Sequence, residues 1–200
     1  MGDLRKLRLE DISDLRAYER ERSELQQRVF EVKRLRRVAL GSILSLVFEN
    51  ALTIRFQIQE MARVEKLSTD AQILGELKVY NPLIPDPGEL SATLFIELTD
   101  EASLREWLPK LVGIEQKLLL RFGADGVEPA RSIPEAAHAG QLTREDVTAS
   151  VHYVRFSLTA EQVESFETGP VFLASDHPEY QVEAELGRET RKELLGDLRC

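Results

Sequence analysis

The sequence predicts an α+β protein, with one mainly antiparallel sheet, peripheral helices and a long N-terminal amphipathic helix. Three observations lead to this prediction. Of the 200 residues, 42% are apolar, which is enough to bury a core. Helical periodicity opens the chain, and runs of alternating apolar residues follow it. Because strands and short helices then mix to the end of the chain, we expect residues 1–200 to form a single domain.

Residues 1–37 are predicted to form an N-terminal helical arm. Between Asp11 and Arg37 apolar residues recur at steps of three and four, and Asp11 is placed to cap the helix. Such a helix is roughly 40 Å long, which is more than a small domain needs. We expect it to pack on its own domain. The alternative is that one face binds a partner or a second copy, giving a homo-oligomer.

The next two segments carry strong apolar patterns. Residues 38–48 are rich in leucine and β-branched residues, are punctuated at Gly41, and are predicted to form a buried strand. Residues 52–58 fit both a strand and a helix. We favour a helix that runs on to Leu67, because neither glycine nor proline interrupts the chain from Asn50 onward, and Asn50 or Thr53 is suited to cap it.

The remainder alternates between strands and short helices. A helix over Asp70–Tyr80 is predicted to end before Pro82, because proline disfavours helical geometry in the preceding residue. Residues 81–88 form a stiff connector. Strands are predicted at 91–98, 117–122, 151–158, 171–174 and 181–186, and helices at 102–111, 160–166 and 188–198. Residues 123–150 show no sustained period, and we expect them to form a mobile loop.

Composition excludes several classes of function. The one cysteine, Cys200, provides neither a disulfide framework nor a set of thiols for zinc or iron-sulfur clusters. No apolar run approaches the ~20 residues that a membrane helix needs, and we expect a cytoplasmic protein. The chain has no P-loop and no nucleophile elbow, and we predict no cofactor.

The three histidines, His138, His152 and His177, match no metal-binding spacing, and we predict no metal site. We interpret His138 and His152 as ordinary surface or hydrogen-bonded side chains. The segment Asp176-His177-Pro178 closes a predicted strand. An imidazole beside a carboxylate can act as a general base, although the same three residues also make a good turn.

A set of separated polar residues is the remaining candidate for a pocket. Several of them lie among strong hydrophobes between Phe48 and Glu65, where a buried polar group needs a partner. Glu60 and Arg63 are spaced to pair on a helix. Such a network either lines a pocket or stabilises the packing. The candidate pocket residues are Glu49, Asn50, Gln57, Glu60, Arg63, Asn81, Glu89, Asp176, His177 and Tyr180.

Charge is distributed unevenly along the chain. Residues 1–37 hold 11 basic and 8 acidic residues, whereas the remainder holds 15 basic and 27 acidic ones, for a net charge of −9. Basic side chains cluster at Lys33, Arg34, Arg36 and Arg37, where they favour the C-terminus of a helix or dock on an acidic partner. We do not expect nucleic-acid binding, because this cluster has neither stacking aromatics nor a second basic patch beside it.

Seven segments together carry a resemblance to a known family: residues 7–12, 36–41, 48–50, 56–61, 80–83, 88–95 and 176–178. Through them the chain resembles a bacterial family catalogued as domain of unknown function family 3501. The resemblance implies no activity and no catalytic residue. Genes of that family tend to lie beside genes for rubrerythrin-like proteins and for cysteine-rich iron-sulfur proteins similar to heterodisulfide reductase subunits.

That neighbourhood implies an accessory role in a redox or peroxide-handling system. We therefore expect a non-catalytic interaction protein that binds an iron-sulfur or rubrerythrin-like partner. The alternative is a small-molecule enzyme or sensor whose pocket is built from the separated polar residues. The sequence favours the first hypothesis because no catalytic constellation stands out.

Overall fold

Three helices dominate the first part of the chain in the computed structural model, which describes residues 6–135 and 147–199. Helix α1 spans Leu15–Arg36, α2 spans Ala51–Glu65 and α3 spans Asp70–Tyr80. These bounds confirm the long N-terminal helix and the helical interpretation of residues 52–67.

The start of α1 differs from the prediction. Asp14, not Asp11, is its N-cap, because the Asp14 carboxylate accepts hydrogen bonds from the N–H groups of Arg16 and Ala17, both at 2.9 Å. Asp11 lies in a separate 3-10 turn, where its carboxylate accepts the N–H of Arg8 at 2.7 Å. A side chain engaged in that turn is not free to cap the helix.

Asn50 caps α2, as the sequence predicts. Its side-chain oxygen accepts the N–H of Thr53 at 3.0 Å, and the Thr53 hydroxyl accepts the N–H of Asn50 at 3.0 Å. This reciprocal pair satisfies two backbone donors that the first turn of a helix leaves without partners. The cap explains why residues 52–58 form a helix although their apolar residues also alternate like those of a strand.

The single strand predicted for residues 38–48 is wrong. The segment forms a hairpin of two strands, β1 (Arg37–Leu40) and β2 (Leu44–Phe48), that turns at Gly41. Gly41 has φ = 69°, a left-handed conformation that glycine adopts without strain. The glycine therefore reverses the chain direction instead of punctuating one strand.

The remaining elements lie close to their predicted positions. The strands are β3 (Glu89–Ile96), β4 (Leu118–Phe122), β5 (Ala130–Arg131), β6 (Ile133–Pro134), β7 (Val151–Ser157), β8 (Val171–His177) and β9 (Tyr180–Glu185). The helices are α4 (Glu101–Lys110), α5 (Ala160–Thr168) and α6 (Arg188–Leu198). The described part of segment 123–150 includes β5 and β6, and residues 136–146 of the expected mobile loop lie outside the described residues.

The α+β class and the antiparallel pairing are confirmed, but the strands form two sheets instead of one. The first sheet has the order β1-β2-β3-β7-β6, and the second has the order β5-β4-β8-β9. The apolar side chains of the two sheets pack together in one shared core, which includes Leu46, Leu94, Leu120 and Leu173. A sequence pattern identifies strands without showing which of them pair.

Helices α1, α2 and α3 pack beside the first sheet. Ile54 and Ile58 of α2 form a smaller core with Leu77 of α3 and with Leu7, and Tyr153 of β7 packs against it. Helix α6 instead places Leu194 and Leu198 in the main core. Among the described helices, none combines the length and the apolar character needed to cross a bilayer. Between them, α1, α2 and α6 border the site described next.

Candidate functional site

A cleft of about 830 Å³ opens between α1, the start of α2, α6 and the segment that precedes α1. We call it the α1–α6 cleft, and we call residues 6–14 the N-terminal strap. Apolar side chains form part of the cleft wall, charged side chains form its rim, and most of the lining surface is polar. It is lined by Leu7, Glu10, Asp11, Arg28, Val32, Leu35, Asn50, Ala51, Leu52, Arg55, Glu189, Lys192, Glu193 and Gly196.

Helical spacing places these side chains on facing walls. On α6, Glu189, Lys192, Glu193 and Gly196 recur at steps of three and four, so one face of this helix borders the cleft. The opposite face carries the core residue Leu194. On α1, Arg28, Val32 and Leu35 are spaced in the same way. The cleft is therefore a gap between two amphipathic helices and not a distortion of either one.

The Arg36 side chain joins the end of α1 to α6 and to the segment between β2 and α2, next to the cleft. It is fully buried, and its Nε donates to the carbonyl of Phe48 at 2.8 Å. One Nη donates to the carbonyl of Glu49 at 3.0 Å and to Asp197, and the other donates to Glu193 at 3.1 Å. Burial raises the pKa of Asp197, and the charge and hydrogen bond of Arg36 oppose that rise. Arg36 is thus a structural cation.

This finding corrects the prediction that Arg36 docks on a partner, because a fully buried guanidinium offers no surface to one. Arg37 is exposed, but it forms an ion pair with Glu97 and stacks over Phe95. Lys33 is half-buried and Arg34 is exposed. A basic surface at this position therefore consists of Lys33 and Arg34, with Arg37 already paired.

The N-terminal strap is bound to the helices through its backbone. Asn81 accepts the N–H of Leu7 at 2.9 Å and donates to the Leu7 carbonyl at 2.8 Å. Gln59 binds Ser13 in the same two-way manner, at 2.7 and 3.1 Å. Gln59 is absent from the candidate pocket residues of the sequence analysis, although an amide among the strong hydrophobes of this segment requires a hydrogen-bond partner when it is buried.

Arg55 also holds the strap, and it shows how the rim is charged. Its Nε donates to the carbonyl of Asp11 at 2.7 Å, and its Nη2 forms an ion pair with Glu21 at 3.2 Å. Basic and acidic side chains both line the cleft, with three cations and four carboxylates. A polyanion is disfavoured there, whereas an apolar segment that carries charges of both signs is well matched.

Glu49 lies below the cleft and is buried, with 6% of its surface exposed. Its carboxylate accepts hydrogen bonds from the hydroxyls of Thr93, at 2.6 Å, and Thr53. Both donors are neutral and belong to separate elements, β3 and α2. Glu49 therefore connects the first sheet to α2 and does not reach the cleft surface with its carboxylate.

Glu60 forms a second, partly buried network between α1 and α2. The Tyr18 hydroxyl donates to it at 2.6 Å, Arg22 donates from Nε at 2.7 Å, and Arg63 donates at 3.1 Å. The pairing predicted for Glu60 and Arg63 is confirmed. The hydrogen bonds from Arg22, and then those from Tyr18 and Arg63, outweigh burial and lower the pKa of Glu60 to about 2.

Replacing Glu60 with glutamine is expected to lower the free energy of unfolding by about 1–3 kcal/mol at neutral pH. Because the pKa of Glu60 falls from its ordinary 4.5 to about 2 on folding, its contribution is complete above pH 4.5. That contribution disappears as the pH falls towards 2. Urea denaturation between pH 7 and pH 3 should show the unfolding energies of wild type and E60Q converging in acid.

The matched control for this prediction is Glu24→Gln, a change at an exposed glutamate of α1, the helix that faces Glu60 in this network. It should leave the pH dependence of unfolding unchanged. A constant difference between wild type and E60Q across the pH range would contradict the assignment of this network to α1–α2 packing.

The predicted pocket residues of the second sheet serve the fold. His177 is buried; its Nε2 donates to the carbonyl of Val112 at 3.1 Å, and its Nδ1 accepts the N–H of Glu179 at 3.3 Å. With both nitrogens engaged, the imidazole is not poised as a general base. Asp176 forms an ion pair with Arg131 at 2.9 Å and not with the adjacent His177.

Tyr180 and Glu89 lie at two further positions in the fold. The Tyr180 hydroxyl donates to the carbonyl of Leu40 at 3.1 Å and accepts the N–H of Ser42 at 2.9 Å, which joins the two sheets. Glu89 pairs with Arg155 on the first sheet. Glu49 and Asn50 share Thr53, and Glu60 pairs with Arg63, but these two networks are separate from each other and from those of Glu89, His177 and Tyr180. Asn50 is the member of the candidate set that lines the α1–α6 cleft.

Three further predicted positions complete the comparison. Gln57 hydrogen-bonds to the hydroxyl of Tyr80. His152 is buried and hydrogen-bonds to the hydroxyl of Thr148 and the carbonyl of Ala149, both at 2.8 Å, and burial lowers its pKa. His138 lies outside the described residues. Within residues 6–135 and 147–199, no three His, Cys, Asp or Glu side chains are grouped to hold a metal ion.

Comparison with known proteins agrees with the resemblance seen in the sequence. A crystal structure of a novel protein of unknown function from Burkholderia pseudomallei K96243 is similar, with a TM-score of 0.88 and 35% sequence identity. The match covers 97% of this chain and 100% of that one. Among curated proteins no match was found. The family model described as "Protein of unknown function (DUF3501)" matches residues 6–198, so the chain belongs to the DUF3501 family.

Proposed function

We propose that this chain is a non-catalytic accessory protein whose α1–α6 cleft holds a segment of a redox protein of the iron-sulfur or rubrerythrin-like class. The cleft itself carries the proposal. It combines apolar side chains with a mainly polar lining that carries charges of both signs, which suits a short amphipathic segment of another protein. The gene neighbourhood implied by the family resemblance supports the choice of partner.

The distribution of polar groups supports binding over catalysis. Glu49, Glu60 and His177 all have hydrogen-bond partners inside the fold. Catalysis needs a nucleophile, a base and a stabilising group within reach of one reacting atom. These three residues belong to separate networks, so they do not provide such a set.

The apolar part of the wall should contribute binding energy through burial. Val32 and Leu35 of α1 are half-buried in the free protein, and a docked segment would remove more of their surface from water. Charged rim residues such as Arg28 and Lys192 contribute to the rate of association more than to the final affinity. The chain contributes no cofactor in this proposal; any iron belongs to the partner.

Replacing Val32 with aspartate is expected to weaken partner binding at least about 10-fold, because a carboxylate then lies in the apolar wall. The neighbouring redox proteins should be co-expressed with the tagged chain, and the recovered complexes quantified. The matched control is Phe30→Asp, on the same helix but outside the cleft, where the native side chain is 72% exposed. Thermal melting establishes that both variants are folded.

Two results would contradict this proposal. The first is that neither neighbouring protein associates with the wild-type chain. The second is that Val32→Asp retains binding while Phe30→Asp loses it, which would move the binding surface from the cleft to the outer face of α1.

The size of the cleft favours a small-molecule sensor or enzyme as a second candidate, since ligand pockets commonly measure about 300–1,000 Å³. A ligand would then contact Asn50 and the rim instead of the full set of predicted pocket residues. Under this alternative, a metabolite raises the melting temperature of the isolated wild-type chain, and Val32→Asp abolishes that rise.

A further inference from the structure

The outer face of α3 exposes apolar and small residues at its centre. It carries Asp70, Ala71, Leu74, Gly75 and Lys78, and all five residues are exposed. We call these residues the α3 outer face. Leu74 is 52% exposed, whereas Leu77 on the inner side is only 4% exposed. A surface helix usually presents charged residues to water, so apolar and small residues at the centre of this face suggest that it is covered.

Two further apolar side chains on α2 and α3 are also exposed. Val64, near the end of α2, is 64% exposed, and Val79 of α3 is 43% exposed. A groove of about 530 Å³ adjoins it on the other side, between the N-terminal strap and α3, and Leu74 and Lys78 belong to its lining. The surface around Leu74 is thus broad enough to receive a second helix.

We propose that the α3 outer face binds the same face of a second copy of this chain, with the two α3 helices antiparallel. The inference rests on the positions of two charged residues. Asp70 and Lys78 each lie four residues from Leu74, on opposite sides of it. A two-fold axis through Leu74 therefore places Asp70 of each copy against Lys78 of the other.

A parallel arrangement of the two helices is disfavoured by the same two charges. In a parallel pair in register, Asp70 faces Asp70 and Lys78 faces Lys78, and both contacts are repulsive. Within the described residues neither Asp70 nor Lys78 forms an ion pair. Their charges are therefore available to a partner. In the antiparallel pair, Asp70 of each copy faces Lys78 of the other, which gives two attractive contacts.

The centre of the face allows close approach. A Cβ atom added to Gly75 would meet no other atom within 4 Å, so the space above this residue is open. Together with Ala71, it leaves room for the Leu74 side chain of the second copy. The contact is one helix wide, so we expect a weak dimer at the low end of stable interfaces, with a Kd on the order of 10 μM.

Charge reversal tests this arrangement with the full chain. In Asp70→Lys, each copy presents lysine at both positions, and in Lys78→Glu each presents an acid at both. Either variant alone should raise the dimer Kd at least about 10-fold. An equimolar mixture of the two variants restores two attractive pairs, and sedimentation analysis should show a heterodimer with near wild-type affinity. Circular dichroism confirms that each variant keeps its helices.

Three outcomes would overturn the inference: a wild-type chain that stays monomeric up to about 1 mM, a mixture no more dimeric than its components, or a dimer lost in Phe30→Asp but retained in Asp70→Lys. The last result would instead support self-association through α1, whose exposed large apolar residue is Phe30. Val32→Asp, the cleft variant, should dimerise normally, so failure of the proposed partner binding and failure of this proposal are distinguishable.

Discussion

Replacing Asp197 with alanine is expected to lower the free energy of unfolding by about 3–5 kcal/mol, the typical result of removing one partner from a buried ion pair. Arg36 and Asp197 have 0% and 1% of their side-chain surfaces exposed. Without the aspartate, the guanidinium remains buried, with Glu193 as its remaining acidic partner. Equilibrium denaturation in urea measures the loss.

The neighbouring arginine provides a matched control. Arg37 also pairs with an acid, Glu97, but their side chains are 48% and 45% exposed. Arg37→Ala should therefore cost less than about 1 kcal/mol. Asp197→Asn keeps a hydrogen-bond acceptor and should cost less than Asp197→Ala. Equal losses for Asp197→Ala and Arg37→Ala would contradict the central structural role of the buried pair.

The second large effect is expected at Gly41. Gly41→Ala should lower the free energy of unfolding by about 2–4 kcal/mol, because two penalties add. The residue has φ = 69°, a conformation that alanine adopts with strain. Its new Cβ would also overlap the hydroxyl of Tyr180, which joins the β1–β2 turn to the second sheet. Thermal and urea denaturation should show the same loss.

Gly196→Ala is the matched control for this change. Gly196 lies within α6, and a Cβ atom there would meet nothing within 4 Å. Alanine should stabilise this helix by about 0.5–1 kcal/mol. If Gly41→Ala stabilised the protein, as Gly196→Ala is expected to do, the predicted overlap with Tyr180 would be contradicted.

Local features of the fold were predictable because they depend on residues close in sequence. Asn50 has the capping chemistry that begins α2, and this signal decided between the helical and extended patterns of residues 52–58. Pro82 likewise marked the end of α3. Both are interactions within a few residues, so a sequence pattern contains them.

The errors arose where distant residues decide the outcome. Gly41 turns the chain in a hairpin whose turn is bound by Tyr180, 139 positions later. Arg36 belongs to a dense basic run, but α6 brings Asp197 to it from the opposite end of the chain. Neither partner is visible from the local pattern. The α1–α6 cleft was missed for the same reason, since its two main walls come from opposite ends of the sequence.

The attachment of the N-terminal strap has a consequence for variation in this protein. Asn81 binds the N–H and the carbonyl of Leu7, so it recognises main-chain atoms and is indifferent to the side chain at that position. The Leu7 side chain meanwhile forms part of the cleft wall. The main-chain atoms of Leu7 thus fix the position of the strap, and its side chain contributes to the shape of the cleft. Because the Leu7 side chain also belongs to the smaller core, apolar substitutions of similar size at position 7 should reshape the wall while the backbone path of the strap stays in place.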